Sequence, residues 1–241
     1  MPSTQPPPFV IPELERLGIA PTEERLDRLS RLVALVEEGN QRANLTARCD
    51  TDEMWRRHVL DSLGLCRHLE GLDPKLRVVD IGSGAGFPGL PLAICLPDRS
   101  FTLLEATAKK TRFLEECIRE LALPKVRVKN DRAETAGRDP AFRARFSVAL
   151  CRAVGPLAVI AEYALPLLGE GGVLLALKGR TVKQELAGSR KAIQLLGGGP
   201  AELTPIGEGG GFLVTIRKVG NTPHRFPRPP GQAKATPLYS R

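Results

Sequence analysis

The sequence predicts an α/β protein: a seven-stranded, mostly parallel sheet with its last strand antiparallel, helices on both faces, and a helical cap ahead of it. Three observations carry this. From Leu76 onward, short apolar runs alternate with stretches of helical length, the pattern of a parallel sheet covered on both sides. The last two runs are separated only by a glycine-rich turn around Gly210-Gly211, which suits a hairpin. Ahead of Leu76, apolar residues recur at spacings of three and four rather than two.

Residues 1–12 are proline-rich and predict a disordered arm. Thr22 can cap a helix carrying Leu26, Leu29, Val33 and Val36 on one side, expected to end near Gly39 or Asn40. A second helix fits Asp52 to about Leu69, and residues 13–75 form the cap. The predicted strands then begin at Arg77, Phe101, Val126, Phe146, Val173, Leu203 and Phe212, with helices near 89–96, 108–122, 156–168 and 181–196. Residues 76–218 are the sheet domain and 219–241 a basic, proline-rich tail.

Composition excludes several classes. With 241 residues, 42% of them hydrophobic, the chain can bury a core. No apolar run reaches membrane-spanning length and Met1 opens onto prolines, so a cytoplasmic protein without a span or secretory signal is expected. Five scattered cysteines, no C-x-x-C pair and three histidines argue against a disulfide framework and a metal site. Charge is uneven: residues 1–76 hold ten basic against thirteen acidic side chains, residues 77–216 nineteen against fourteen, and residues 217–241 six against none. The formal +8 suits a polyanionic partner such as nucleic acid.

The most informative stretch runs from Asp80 through Gly82, Ser83, Gly84, Ala85, Gly86, Phe87 and Pro88 to Gly89, between a strand and a helix. Its glycines allow positive φ and close approach of a ligand to the backbone, and the helix N-terminus favours polar or anionic groups. Glu105, ending the second strand, stands where it could take two ribose hydroxyls. Gly84-x-Gly86-x-x-Gly89 fits the dinucleotide fingerprint, whereas Asp80-x-Gly82-x-Gly84-x-Gly86 fits the first motif of methyltransferases that use S-adenosylmethionine. The methyl donor is favoured on three counts. Asp80 could organise the loop and face the donor's ammonium, Phe87-Pro88 obstruct a pyrophosphate, and the remaining chain is too short for a dehydrogenase substrate domain.

Ligands of open α/β sheets bind outside the carboxyl ends of the strands, which brings in Ala133 with Glu134, Cys151 with Arg152, and Lys178 with Gly179. The fourth strand ends in Cys151-Arg152-Ala153-Val154, without the Asp/Asn-Pro-Pro-aromatic motif of exocyclic amine methylation. It also lacks the proline that commonly precedes a nucleophilic cysteine. A ring nitrogen with a free lone pair, such as N7 of guanine, needs no general base and fits what remains.

These residues resemble the RsmG, or GidB, family of bacterial 16S ribosomal RNA (guanine-N7)-methyltransferases, over roughly Asn40 to Lys218 plus the tail. The resemblance rests on Asn44-Leu45-Thr46, Arg57-His58-Val59-Leu60-Asp61-Ser62-Leu63, the glycine loop, Lys109-Lys110-x-Arg112-Phe113-Leu114, Arg152-Ala153, Leu177-Lys178-Gly179, and Phe226-Pro227-Arg228-x-x-Gly231. It implies a Rossmann-like methyltransferase of class I, with S-adenosylmethionine as cofactor and small-subunit ribosomal RNA, free or as a ribosomal particle, as partner. Donor contacts are implied at Gly82, Phe87, Glu105, Ala106, Thr107, Ala133, Glu134 and Arg152, beside the loop residues Asp80, Ser83, Gly84 and Gly86. Arg152 and Lys178 are expected to position the base. RNA contact is expected at Lys109, Lys110, Arg112, Arg225, Arg228 and Lys234, and Asn44, His58 and Asp61 are candidates for the substrate pocket. A small-molecule methyltransferase and a non-catalytic nucleotide sensor are the alternatives. Two departures stand out: a proline of the family's tail is absent in Gly231–Leu238, and Cys151 replaces a common serine.

Overall fold

A computed structural model describes residues 5–238 except 44, 46, 48, 71, 74 and 207–209. Seven strands form one sheet: β1 (Arg77–Ile81), β2 (Ser100–Glu105), β3 (Val126–Asn130), β4 (Phe146–Arg152), β5 (Leu168–Lys178), β6 (Gly198–Ile206) and β7 (Gly211–Lys218). Their spatial order is β3-β2-β1-β4-β5-β7-β6. The pairs among β1 to β5 are parallel, and β7 runs antiparallel to both neighbours.

Apolar runs rather than alternation mark the central strands because both faces are covered. On β4, Val148 and Leu150 join the core layer beneath the N-terminal helices, while Ala149 and Cys151 join the opposite layer. On β5, Leu175 and Leu177 face the first layer and Leu174 and Ala176 the second. The strand order reverses between β1 and β4, the switch point at which open α/β sheets bind ligands in the crevice outside the carboxyl ends of the strands.

The N-terminal region departs from expectation in three places. Helix α1 (Val10–Arg16) begins inside the predicted disordered arm, because Val10 and Leu14 are fully buried one turn apart and Phe9 lies under the Arg56 guanidinium. Helix α2 (Glu23–Ala43) passes through Gly39 instead of ending there. A Cβ at Gly39 would stand 2.6 Å from both Leu45 and Phe113, so this glycine allows a close helix approach.

The third departure is the predicted helix from Asp52 to Leu69, which is broken into α3 (Thr51–Glu53), a π-wound stretch Met54–Leu60, α4 (Asp61–Leu63) and α5 (Cys66–Glu70). Asp50 caps its start by accepting from the Glu53 N–H at 2.7 Å. The wide π turn buries Met54, Trp55, Val59 and Leu60 while leaving His58 half-buried, and Asp61 follows directly, also half-buried. The remaining helices are α6 (Gly89–Cys95), α7 (Ala108–Glu120), α8 (Ala133–Ala136), α9 (Leu157–Ala164), α10 (Val182–Leu195) and α11 (Gln232–Ala235). Among the described residues no helix is long and apolar enough to cross a membrane.

Candidate active site

The loop between β1 and α6 is fixed by backbone geometry and two acids. Gly82, Gly84 and Gly86 have φ of 69°, 57° and 96°. A Cβ at Gly82 would stand 2.9 Å from the Val154 side chain, which shows how closely the β1 and β4 loops approach. Asp80 is fully buried, and its Oδ2 accepts the Gly89 N–H at 3.0 Å, tying the strand end to the start of α6. Its Oδ1 has no hydrogen-bond partner. Burial raises this carboxyl to about 7, against the pull of the Gly89 N–H and Arg152. Asp80 therefore organises the loop, and its buried, unpartnered oxygen leaves negative potential beneath it.

Glu105 supports the other side. Its Oε2 accepts from Gly84 N–H at 3.0 Å and its Oε1 from Thr107 N–H at 2.8 Å. A carboxylate offers about four acceptor positions, so roughly two remain for ribose hydroxyls. Ala106, Thr107 and Gly82 are exposed around it, while Ser83 and Phe87 are buried under the loop. Three left-handed glycines, a carboxylate with acceptor capacity to spare and a buried orphan oxygen fit a ligand with a ribose and a cationic amino-acid end, as S-adenosylmethionine has.

At the end of β4, Arg152 is half-buried and its Nη1 is buried without a partner. Desolvation lowers its pKa, opposed chiefly by Asp61 and further by Asp80. The His58 ring stands 5.1 Å from the Phe87 ring, centroid to centroid. Burial, with Arg152 and Arg57 close by, lowers His58 to about 4, so the ring is neutral near pH 7. The structure thus brings His58, Asp61, Phe87 and Arg152 together beside the glycine loop. Asn44 lies outside the described residues.

Two expected ligand contacts are corrected. Lys178 is committed to the fold: its Nζ pairs with Glu185 at 2.9 Å and donates to the Gly155 carbonyl at 2.8 Å. The same Glu185 oxygen accepts from Leu157 N–H at 2.7 Å, so Lys178 pins the loop after β4 to α9 and α10 and is not free to place a base. Arg228 is likewise taken, with its guanidinium forked on Glu162 at 2.6 to 3.1 Å and on the Thr236 carbonyl at 2.9 Å. Glu162 is fully buried, so this pair is an anchor, and an RNA phosphate cannot displace it without stranding a buried carboxylate.

The predicted tail is docked along the sheet domain. Arg143 donates to the carbonyls of Gly137, Thr222 and Phe226, each at 2.8 Å, and Arg138 donates to that of Pro227 at 2.7 Å. Glu134, expected at the donor, is buried and its Oε1 accepts from Gly231 N–H at 2.9 Å, beside Ala133. Lys234 on α11 is exposed, and the Gly231–Glu134 bond brings the tail back to the segment that follows β3 at the carboxyl edge. Arg225 is exposed, its guanidinium 5.2 Å from the Phe226 ring. Lys109 and Arg112 are exposed and Lys110 half-buried on the first turns of α7, with Arg42 across a hollow of about 210 Å³. Arg138, Arg143, Glu162 and Glu185 escaped the sequence reading. A lone acid in the otherwise apolar Leu157–Ala164 was the one available signal.

Cys151 is fully buried at the end of β4, and burial with Asp80 nearby raises its thiol strongly. A thiol in that state is not a nucleophile.

The family described as rRNA small subunit methyltransferase G, GidB, matches residues 25–210. The chain belongs to this family. A relative from Nostoc punctiforme called ribosomal RNA small subunit methyltransferase G is 40% identical over 231 residues, covering 93% of this chain and 95% of its own. One from Chloroflexus aggregans with the same name is 45% identical over 224 residues, covering 92% and 93%. Among solved structures, the CurJ carbon methyltransferase superposes with a TM-score of 0.56 at 14% identity, over 88% of this chain and 67% of that one. That likeness establishes the class I, Rossmann-like methyltransferase fold. The rRNA small subunit methyltransferase G match spans α2 through β6 and so takes in six of the seven strands, β7 lying just beyond it.

Proposed function

We propose that this protein transfers a methyl group from S-adenosylmethionine to N7 of one guanosine in 16S ribosomal RNA, free or within a small-subunit particle, in the cytoplasm. The observation that carries the reading is near full-length relationship, over nine-tenths of both chains, to proteins named for that class of reaction. The crevice at the β1–β4 switch point supports it.

When bound, S-adenosylmethionine supplies a sulfonium methyl whose C–S bond breaks as the N7–C bond forms, with no proton released. The residues around the crevice suit that chemistry because none has to act as a base. Glu105 and the backbone of Gly82 to Gly86 orient the ribose and amino-acid portions. Asp80 keeps the loop in place and lends negative potential to a cationic ligand. Phe87 and neutral His58 keep water from the acceptor side, and Arg152 stands where it can hold a polar base edge. Proximity, alignment and desolvation supply the rate. Lys109, Lys110, Arg112, Arg225 and Lys234 supply cations for RNA phosphate around the rim.

The test is transfer of labelled methyl from S-adenosylmethionine to small-subunit ribosomal RNA, with and without prior RNase treatment. The reading predicts incorporation that RNase abolishes and that falls steeply with added salt. Incorporation into small molecules that survives RNase would overturn it.

A further inference from the structure

Asp61 directly follows the π-wound turn whose His58 ring stands 5.1 Å from Phe87 of the glycine loop, and Arg152 ends β4 at the same carboxyl edge. Each is the leading charged influence on the other, yet no ion pair joins them among the described residues. The other cation acting on Asp61 is Arg57, and Arg57 is held by Glu53 at 2.7 Å. The Asp61 carboxylate thus makes no hydrogen bond to a described side chain, and Nη1 of Arg152 is a buried donor with nothing to donate to. A buried guanidinium nitrogen without an acceptor is costly unless a ligand completes it, and the half-buried Asp61 carboxylate beside it is open to the same ligand. That ligand must offer donors to the carboxylate and an acceptor to the guanidinium.

Of the four bases only guanine presents this edge, with N1–H and a 2-amino group adjacent to the O6 acceptor. Adenine would turn its N1 lone pair toward the carboxylate and its 6-amino group toward the guanidinium, two repulsions in place of three hydrogen bonds. Uracil and cytosine lack an N7. We propose that Asp61 and Arg152 read the base: Asp61 accepts from N1–H and the 2-amino group, and Arg152 donates to O6. The tilted His58–Phe87 pair walls the same site and carries no charge near pH 7 that would compete for Asp61. Arg152 follows Cys151, the register partner of Ile81 on β1, so it leaves the sheet where the glycine loop does, which connects base reading to the donor side. This inference rests on the proposed methylation of N7 in RNA.

The test uses the full chain and ribosomal RNA in which the acceptor guanosine is replaced by inosine. Inosine keeps N7, N1–H and O6 but lacks the 2-amino group. Wild type should lose about 10- to 100-fold in kcat/KM on inosine, the effect of one hydrogen bond to a charged group. D61N should methylate guanosine and inosine RNA at similar, low efficiencies while binding S-adenosylmethionine within about twofold of wild type. Retention of the full wild-type preference by D61N would overturn the assignment, as would loss of donor binding in that variant. Failure of wild type to methylate even the guanosine RNA would instead overturn the reading beneath it.

Discussion

Replacing Asp80 by asparagine should make the ligand-free protein more stable and its donor binding weaker. Asp80 is fully buried, and burial raises its carboxyl from 3.8 to about 7. At about 1.4 kcal/mol per tenfold change in ionisation, keeping it charged above pH 7 costs the fold on the order of 4 kcal/mol. Asparagine removes that cost and still offers an oxygen to the Gly89 N–H. Its amide nitrogen then takes the place of the unpartnered Oδ1, at about 1 to 3 kcal/mol. The expected net gain at pH 8 is about 1 to 3 kcal/mol. A carboxyl raised on folding contributes stability that is complete below its unfolded value and lost as pH rises through about 7. At pH 5 the charged form therefore costs wild type only about 1.5 kcal/mol, and the gain from asparagine should vanish or reverse. Urea unfolding without donor at both pH values measures this, and calorimetry with S-adenosylmethionine at pH 8 should show affinity reduced on the order of tenfold. Equal destabilisation at pH 5 and pH 8, with donor affinity unchanged, would refute the account of Asp80 as a strained charge kept for ligand binding.

Three further substitutions test other parts of the site. Glu105→Ala removes the acceptor for Gly84 and Thr107 N–H and should weaken donor binding by about 1 to 3 kcal/mol; calorimetry showing wild-type affinity would remove Glu105 from the donor site. Arg228→Ala leaves Glu162 buried and without its counter-ion and should cost about 3 to 5 kcal/mol in denaturant unfolding, a loss that a surface RNA contact would not show. Cys151→Ala should keep methyl transfer within about threefold, because a buried thiol forms no bond in this reaction, whereas loss of turnover with donor binding intact would point to covalent chemistry.

The strands were legible because β1, β4 and β5 are buried on both faces, which forces continuous apolar runs such as Val148–Cys151. The glycine loop was legible because left-handed φ at Gly82, Gly84 and Gly86 demands that residue type. The π-wound Met54–Leu60 was not, since the apolar positions Trp55, Val59 and Leu63 fit an ordinary helical period and the extra residue per turn leaves no compositional mark. Tail docking was hidden for a different reason. Arg138 and Arg143 bind backbone carbonyls, whose acceptor capacity is the same in every sequence. Lys178 and Arg228 misled because a cation at a strand end or in a basic tail does not announce its partner. Glu185 and Glu162 lie 7 residues after and 66 residues before them in the chain, and only the fold unites each pair.

Transfer to N7 of one guanosine is decided by mapping the methylated nucleotide. Small-subunit ribosomal RNA, free and assembled into subunits, would be incubated with the protein and labelled S-adenosylmethionine, digested to nucleosides, and cleaved chemically at N7-methylguanosine to locate the site. The account predicts N7-methylguanosine as the sole labelled nucleoside, at a single position. Label at an exocyclic amine, on a pyrimidine carbon, or spread over many guanosines would contradict it.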